Sequence, residues 1–186
     1  ILELNLYEAR PEIILNATGF SVSPPGRPRV LTPFETGREK AAPLVIQVVF
    51  SGSDFETWKN GSNGLSPRDI SMNVALPEVD GRIFSRAVSF KSFDEYDDIT
   101  QSKIVRYESV LNRIEFVCDL AKSWIKLRQT AKKNRRVALL FANYPNRDGR
   151  LGNGVGLDTP AGSMEVLHAL ANAGYDLQDL PETSQN

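Results

Sequence analysis

The sequence predicts an α/β fold, a mostly parallel sheet flanked by helices. Three observations lead there. Two runs, Leu44–Phe50 and Val137–Ala142, are apolar almost end to end, the pattern of strands covered on both faces. The order strand, loop, helix recurs along the chain. Two helix starts, Ser66-Pro67 and Thr159-Pro160, pair a capping hydroxyl with a proline at the first helical position.

Taken in order, Glu12–Thr18 is a β-type run that ends in turn residues before Gly19. Residues 21–29 hold three prolines, which remove donors and fix φ, so they form a loop at the end of the first strand. Leu44–Phe50 is the second strand, with Gln47 as the polar exception, and Ser51-Gly52-Ser53 ends it. Trp58–Arg68 contains Gly61, Gly64 and Pro67 and reads as loop. Ser66 then caps a short helix over 67–75, expected to stop before Pro77. Ile83–Phe90 is a third strand, and the acidic stretch Asp94–Thr100 an exposed connector.

The spacing of Val110, Leu111, Ile114, Val117, Cys118, Ala121, Trp124 and Ile125 predicts an amphipathic helix over Glu108–Gln129. Lys132–Arg136 follows. It fits an anion patch, but more simply a solvated turn at a helix C-terminus, where cations complement the dipole. Val137–Ala142 is the fourth strand. A glycine-rich loop, Asn143–Asp158, leads to a helix capped by Thr159, with Val166, Leu167, Leu170 and Ala171 inward and Gly174 in the terminating position.

Composition narrows function. The 186 residues are 41% hydrophobic and 24% charged, with a net charge of −1, so there is no basic excess for nucleic acid and no polybasic membrane surface. The longest apolar run falls far short of the roughly 18 residues of a membrane span. One cysteine, Cys118, excludes an intrachain disulfide and fits a reducing compartment, the cytoplasm. One histidine, His168, makes a Ser-His-Asp triad a poor fit, and it reads as an ordinary helix residue. The opening at Ile1 has no signal-peptide pattern. The chain is expected to be a fragment of a larger multidomain chain: 1–186 as one α/β segment, 177–186 as a polar tail.

Two segments carry chemistry. The first is the loop Asn143–Pro160, placed between a strand end and a helix start, where parallel α/β sheets bind ligands. Gly149, Gly152, Gly154 and Gly156 permit close backbone approach, and Arg147 and Arg150 add forked cationic donors. Asn143, Tyr144, Arg147, Asp148, Arg150, Asn153 and Asp158 are the substrate-binding candidates. The plainer alternative is a long turn whose glycines only satisfy φ angles. No Gly-Lys pair exists, so there is no P-loop, and Gly152-x-Gly154-x-Gly156 lacks the dinucleotide spacing. The second segment is Gly64–Arg82. Glu78 and Asp80, the catalytic candidates, sit two apart after Pro77, where carboxylates accept protons or touch a hard cation; a simple polar turn fits equally well.

The stretches LFANYPNRDGRLGNGVGLDTP, GLSPRDISMNVALPEVDGR and ILNATGFS resemble the large subunits of aerobic cobaltochelatase and magnesium chelatase, the CobN/magnesium chelatase family, closer to the cobalt branch in the glycine loop. The resemblance covers most of residues 12–175. It implies ATP-dependent insertion of Co2+, as substrate metal, into hydrogenobyrinic acid a,c-diamide on the aerobic cobalamin pathway. The large subunit binds the corrin tetrapyrrole. An AAA+ ATPase subunit and its companion hydrolyse ATP, none being bound by this segment, which alone is expected to be inactive. A magnesium-chelatase-type porphyrin-metallating subunit, or a non-catalytic scaffold segment that docks the ATPase, is the alternative.

Overall fold

The computed structural model describes residues 11–35, 42–141, 152 and 156–179, without the side chain at 94. Backbone contacts group the chain into two units, Ile1–Ile125 and Lys126–Asn186.

The first unit is built on a four-stranded sheet in the order β1-β2-β3-β4, formed by Ile13–Asn16, Leu44–Ser51, Ile83–Asp97 and Ser102–Ser109. β1, β2 and β3 run parallel, with Ile13 opposite Leu44 and Ile46 opposite Ile83; β4 returns antiparallel, with Ser89 opposite Ser109. The mostly parallel sheet flanked by helices is as the sequence predicts. β2 lies inside the sheet, with Ile46, Val48 and Val49 buried, Leu44 and Val45 half-buried and Phe50 exposed.

Each face has its own cover. Val48 and Val88 pack against Val117 of α4, Leu111–Gln129. Val49, Ala87 and Phe90 pack on the other face beneath Phe55, Trp58, Leu65 and Val74. Phe55 and Trp58 belong to α1, Phe55–Asn60, which replaces the start of the expected loop. Asp54 caps α1 by accepting the Thr57 N–H at 2.8 Å, and the Phe55 and Trp58 rings meet Phe90 at 5.3 and 5.0 Å between centroids. Burial of that aromatic cluster overrides the glycines that follow.

The helix at Pro67 corrects a second expectation. Ser66 caps it as predicted, accepting the Asp69 N–H at 3.1 Å. It does not stop before Pro77. α2, Pro67–Ile70, passes through a π-helical turn, Ser71–Ala75, into α3, Leu76–Val79. Proline in a regular helix collides with the carbonyl four residues back and leaves its bond unmade. The wider turn moves that carbonyl aside, and the Leu76 N–H reaches back to Ser71 O.

β3 runs to Asp97 rather than Phe90, and the expected acidic connector is the tip of a hairpin. Asp97 accepts the Ile99 N–H at 2.8 Å to close the turn, and Arg106 pairs with Glu95 at 2.6 Å across the strands. The connector's exposure is as expected, with Glu95, Tyr96, Asp98, Ile99 and Thr100 exposed and Asp97 half-buried; β4 is exposed throughout. The hairpin also takes Glu108 and Ser109, so α4 starts at Leu111, three residues later than its periodicity indicates.

In the second unit α4 ends in a short 3₁₀ turn, Lys132–Asn134, and Arg135 donates to Thr130 O at 2.9 Å and Arg128 O at 3.3 Å, the C-terminal role predicted for this basic stretch. Over the described residues 137–141 the expected fourth strand is not formed: they carry no ladder, and Leu140 is 94% exposed. An apolar run becomes a strand only beside another, and none among the described residues meets it. α5, Thr159–Asn172, is capped by Asp158 rather than Thr159; the Asp158 carboxylate accepts the Ala161 N–H at 3.0 Å. Gly174, at φ +87°, ends it as predicted, with Tyr175 N–H on Leu170 O and Gly174 N–H on Ala171 O.

Candidate functional site

Segments 14–23 and 64–82, far apart in sequence, are held together at the carboxyl end of β1. Gly19 makes the approach possible: a Cβ there would stand 2.8 Å from Asn73 Oδ1 and 3.0 Å from Met72 O. Next to it, the Phe20 N–H donates to Met72 O at 2.8 Å. Phe20 itself sits at φ 62°, a left-handed conformation uncommon for a bulky residue, with its side chain largely exposed.

A buried polar network binds these segments. Gln47 is the polar exception in β2 and is 1% exposed. Its Oε1 accepts from Asn16 Nδ2 at 3.0 Å and Arg82 Nη1 at 3.3 Å, while its Nε2 donates to Thr18 O at 3.0 Å. Arg82 Nη1 also donates to Thr18 O, at 3.0 Å, and Nη2 reaches Asp80 Oδ2 at 3.0 Å. The Asp80 carboxylate accepts two further donors, the Val22 and Ser23 N–H groups, both at 2.9 Å. Arg29 donates to Asp80 O at 2.7 Å and pairs with Glu35. Burial alone pushes the Asp80 carboxyl up, but the Val22 and Ser23 hydrogen bonds and the Arg82 charge outweigh it and hold the group below the usual carboxylate range.

A second buried carboxylate, Asp69, lies at the end of β2. It accepts from Ser51 Oγ at 3.0 Å, from the Gly52 N–H and from Asn73 Nδ2 at 3.3 Å. Asp69 thus ties the start of α2 to the strand end and, through Asn73, to the Gly19 contact.

The two catalytic candidates are placed differently. Glu78 lies exposed on α3. Asp80, at the end of that helix, is buried and has both oxygens engaged. No group of three or more His, Cys, Asp or Glu among the described residues is arranged to hold a metal. Of the loop candidates, Asn143, Tyr144, Arg147, Asp148, Arg150 and Asn153 lie outside the described residues, and Asp158 caps α5. Sequence reasoning did not single out Asn16, Asp69 or Arg82 for the network. Gln47 inside an apolar strand was the one available signal, because a buried amide requires partners. Among the described residues, no helix is long and apolar enough to cross a membrane.

Comparison with known proteins covers nearly the whole chain. The family model described as CobN/Magnesium Chelatase matches residues 3–186. The chain is 52% identical over 180 residues to the aerobic cobaltochelatase subunit CobN of a Sinorhizobium species, covering 97% of this chain and 14% of that protein. It is 27% identical to the H-type magnesium-chelatase subunit of Chlorobaculum parvum, covering 96% of this chain and 13% of that protein. Among solved structures, the catalytic subunit of cobaltochelatase from Mycobacterium tuberculosis matches with a TM-score of 0.70 and 30% identity, over 97% of this chain and 15% of that one.

Proposed function

The chain belongs to the CobN/magnesium chelatase family, and on that premise we propose that it is part of a cobaltochelatase large subunit, working in the cytoplasm, which inserts Co2+ into a corrin-type tetrapyrrole, hydrogenobyrinic acid a,c-diamide, in cobalamin biosynthesis. The observation that carries the reading is the 52% identity to a CobN protein, against 27% to a magnesium-chelatase relative. ATP is hydrolysed by a partner AAA+ subunit with its companion, and this segment itself has no Gly-Lys pair.

Within this reading the residues divide the work. Metal insertion must take protons from the macrocycle nitrogens. Glu78, exposed on the last turn of α3, is the group available to accept one or to pass on the metal. Asp80 and Arg82 are positioning residues: they fix the end of α3 against the Val22–Ser23 loop. The glycine-loop arginines, Arg147 and Arg150, with their neighbours, hold the carboxylate and amide arms of the substrate. The scaffold reading, in which this segment braces the large subunit or docks the ATPase, draws support from the network itself, whose described groups are spent on holding the fold.

The discriminating experiment is Glu78→Gln in the full-length subunit, assayed with its partners, ATP, Co2+ and the corrin substrate. The amide keeps the size and one acceptor but takes no proton. Tetrapyrrole binding should persist while metal insertion falls by about 10²–10⁴-fold, the usual contribution of a general base. Turnover near that of the unmodified subunit overturns the role of Glu78 and favours the scaffold.

A further inference from the structure

On the α1 and α2 side of the sheet lies a cleft of about 480 Å³, lined by Trp58, Leu65, Val74, Phe84, Arg86 and Arg113 among others. It shares no residue with the Asp80–Arg82 network. β4 pairs with β3 from Ser89 onward, and just before it Val88 O accepts the Val110 N–H at 2.8 Å. Between the pairs Gln47–Phe84 and Val49–Ala87, β3 carries one residue more than β2, a bulge at Ser85–Arg86 fastened by Ser85 Oγ donating to Gln47 O at 2.7 Å. Bulges re-aim side chains, and this one falls where Arg86 enters the cleft wall.

Both guanidinium groups are held in place by aromatic faces. Arg86 Cζ lies 3.3 Å from the centroid of the Phe116 ring, and Arg113 Cζ lies 4.5 Å from that of Trp58. Arg113 Nε is spent on Ala87 O at 2.5 Å, which leaves its Nη groups. Each arginine is half-buried, and among the described residues no carboxylate forms an ion pair with either. Burial and the neighbouring Arg86 charge both lower the Arg113 pKa, so two like charges are gathered here at a cost. Arginine is the residue suited to planar two-pronged recognition of a carboxylate.

We propose that this cleft is a binding site for a carboxylate-bearing ligand, its acid group held between Arg86 and Arg113 and its apolar body against Trp58, Leu65 and Val74. The site stands whether or not the chain serves metal insertion. If that reading holds, one source of the acid is a carboxylate arm of the tetrapyrrole; the other is a separate small organic acid.

The test uses the full-length protein and two probes of one shape, 1-naphthaleneacetate and the neutral 1-naphthaleneacetamide, with binding read from naphthyl fluorescence anisotropy. The acid should bind saturably and at least about tenfold more tightly than the amide, since charge-assisted hydrogen bonds exceed neutral ones by that order. Arg86→Gln, which leaves the Arg113 contact to Ala87 intact, should erase the difference while circular dichroism and thermal unfolding stay as in the unmodified protein. Should that variant misfold, Phe84→Trp at the cleft rim serves instead and should weaken both probes together. Equal binding of acid and amide, no binding of either, or an unchanged preference in a folded Arg86→Gln overturns the proposal. The source is read separately from the chelatase assay: a raised KM for the corrin with unchanged kcat in Arg86→Gln assigns the acid to the ring, and unchanged kinetics beside lost naphthaleneacetate binding assigns it to a separate acid. Both results presuppose probe binding, so a failure of the metal-insertion reading leaves the site standing.

Discussion

Asp80 shows how a residue chosen from sequence for chemistry is held in place by structure. Its carboxylate takes two backbone N–H groups and Arg82, and its side chain is fully buried. Removing one member of a buried ion pair strands the other, typically at about 3–5 kcal/mol. Asp80→Asn should therefore lower thermal stability strongly, and the sign of the pH dependence adds a second reading. The folded carboxyl titrates below its unfolded value, so its stabilisation is complete above about pH 4 and fades as pH falls through the lower folded value. Unfolding curves collected downward from pH 6 should converge for the unmodified protein and the Asn variant. Curves that stay parallel to pH 2 would show that Asp80 contributes nothing through its charge. From sequence, Glu78 and Asp80 formed a matched pair two residues apart; the helix end separates them into one exposed and one buried group, which spacing alone does not resolve.

At the scale of elements, what was legible is what local chemistry decides. Leu44–Phe50 is apolar apart from Gln47 and lies mid-sheet; Ser66 and Pro67 open a helix; Gly174 closes one. What was not legible depends on distant partners. The Val137–Ala142 run has the same apolar character as β2, but composition reports a wish for burial and not the presence of a neighbour. The 94–100 stretch looked like a connector because its pairing is with 102–109 across a turn, and Pro77 looked like a stop because a π-turn leaves no mark in periodicity. Asp158 belongs to this scale too. If its carboxylate serves only as the cap of α5, Asp158→Ala should cost about 1 kcal/mol of stability and leave tetrapyrrole affinity unchanged. A clear loss of affinity with stability unaltered would return Asp158 to the substrate.

At the scale of the whole molecule, the chain spans 14% of the Sinorhizobium protein it resembles. The stretch between Phe141 and α5 is where the sequence places the substrate contacts, and the structure describes what flanks it. Gly152, at φ +64°, packs against Thr159, where a Cβ would meet Cγ2 at 3.1 Å, and the Thr159 hydroxyl donates to Gly152 O. That contact ties Gly152 to the start of α5. On the proposed reading, Arg147 and Arg150 serve the ligand. Replacing both with Ala in the full-length subunit should leave unfolding unchanged and weaken corrin binding by at least about tenfold, the loss of even one charge-assisted hydrogen bond. Fluorescence quenching on titration with the tetrapyrrole measures it. Raised salt should narrow the gap between the two proteins, because screening removes the same attraction from the unmodified subunit. Unaltered affinity, at low salt as well as high, would assign the glycine loop to turning the chain and move the substrate contacts elsewhere in the subunit.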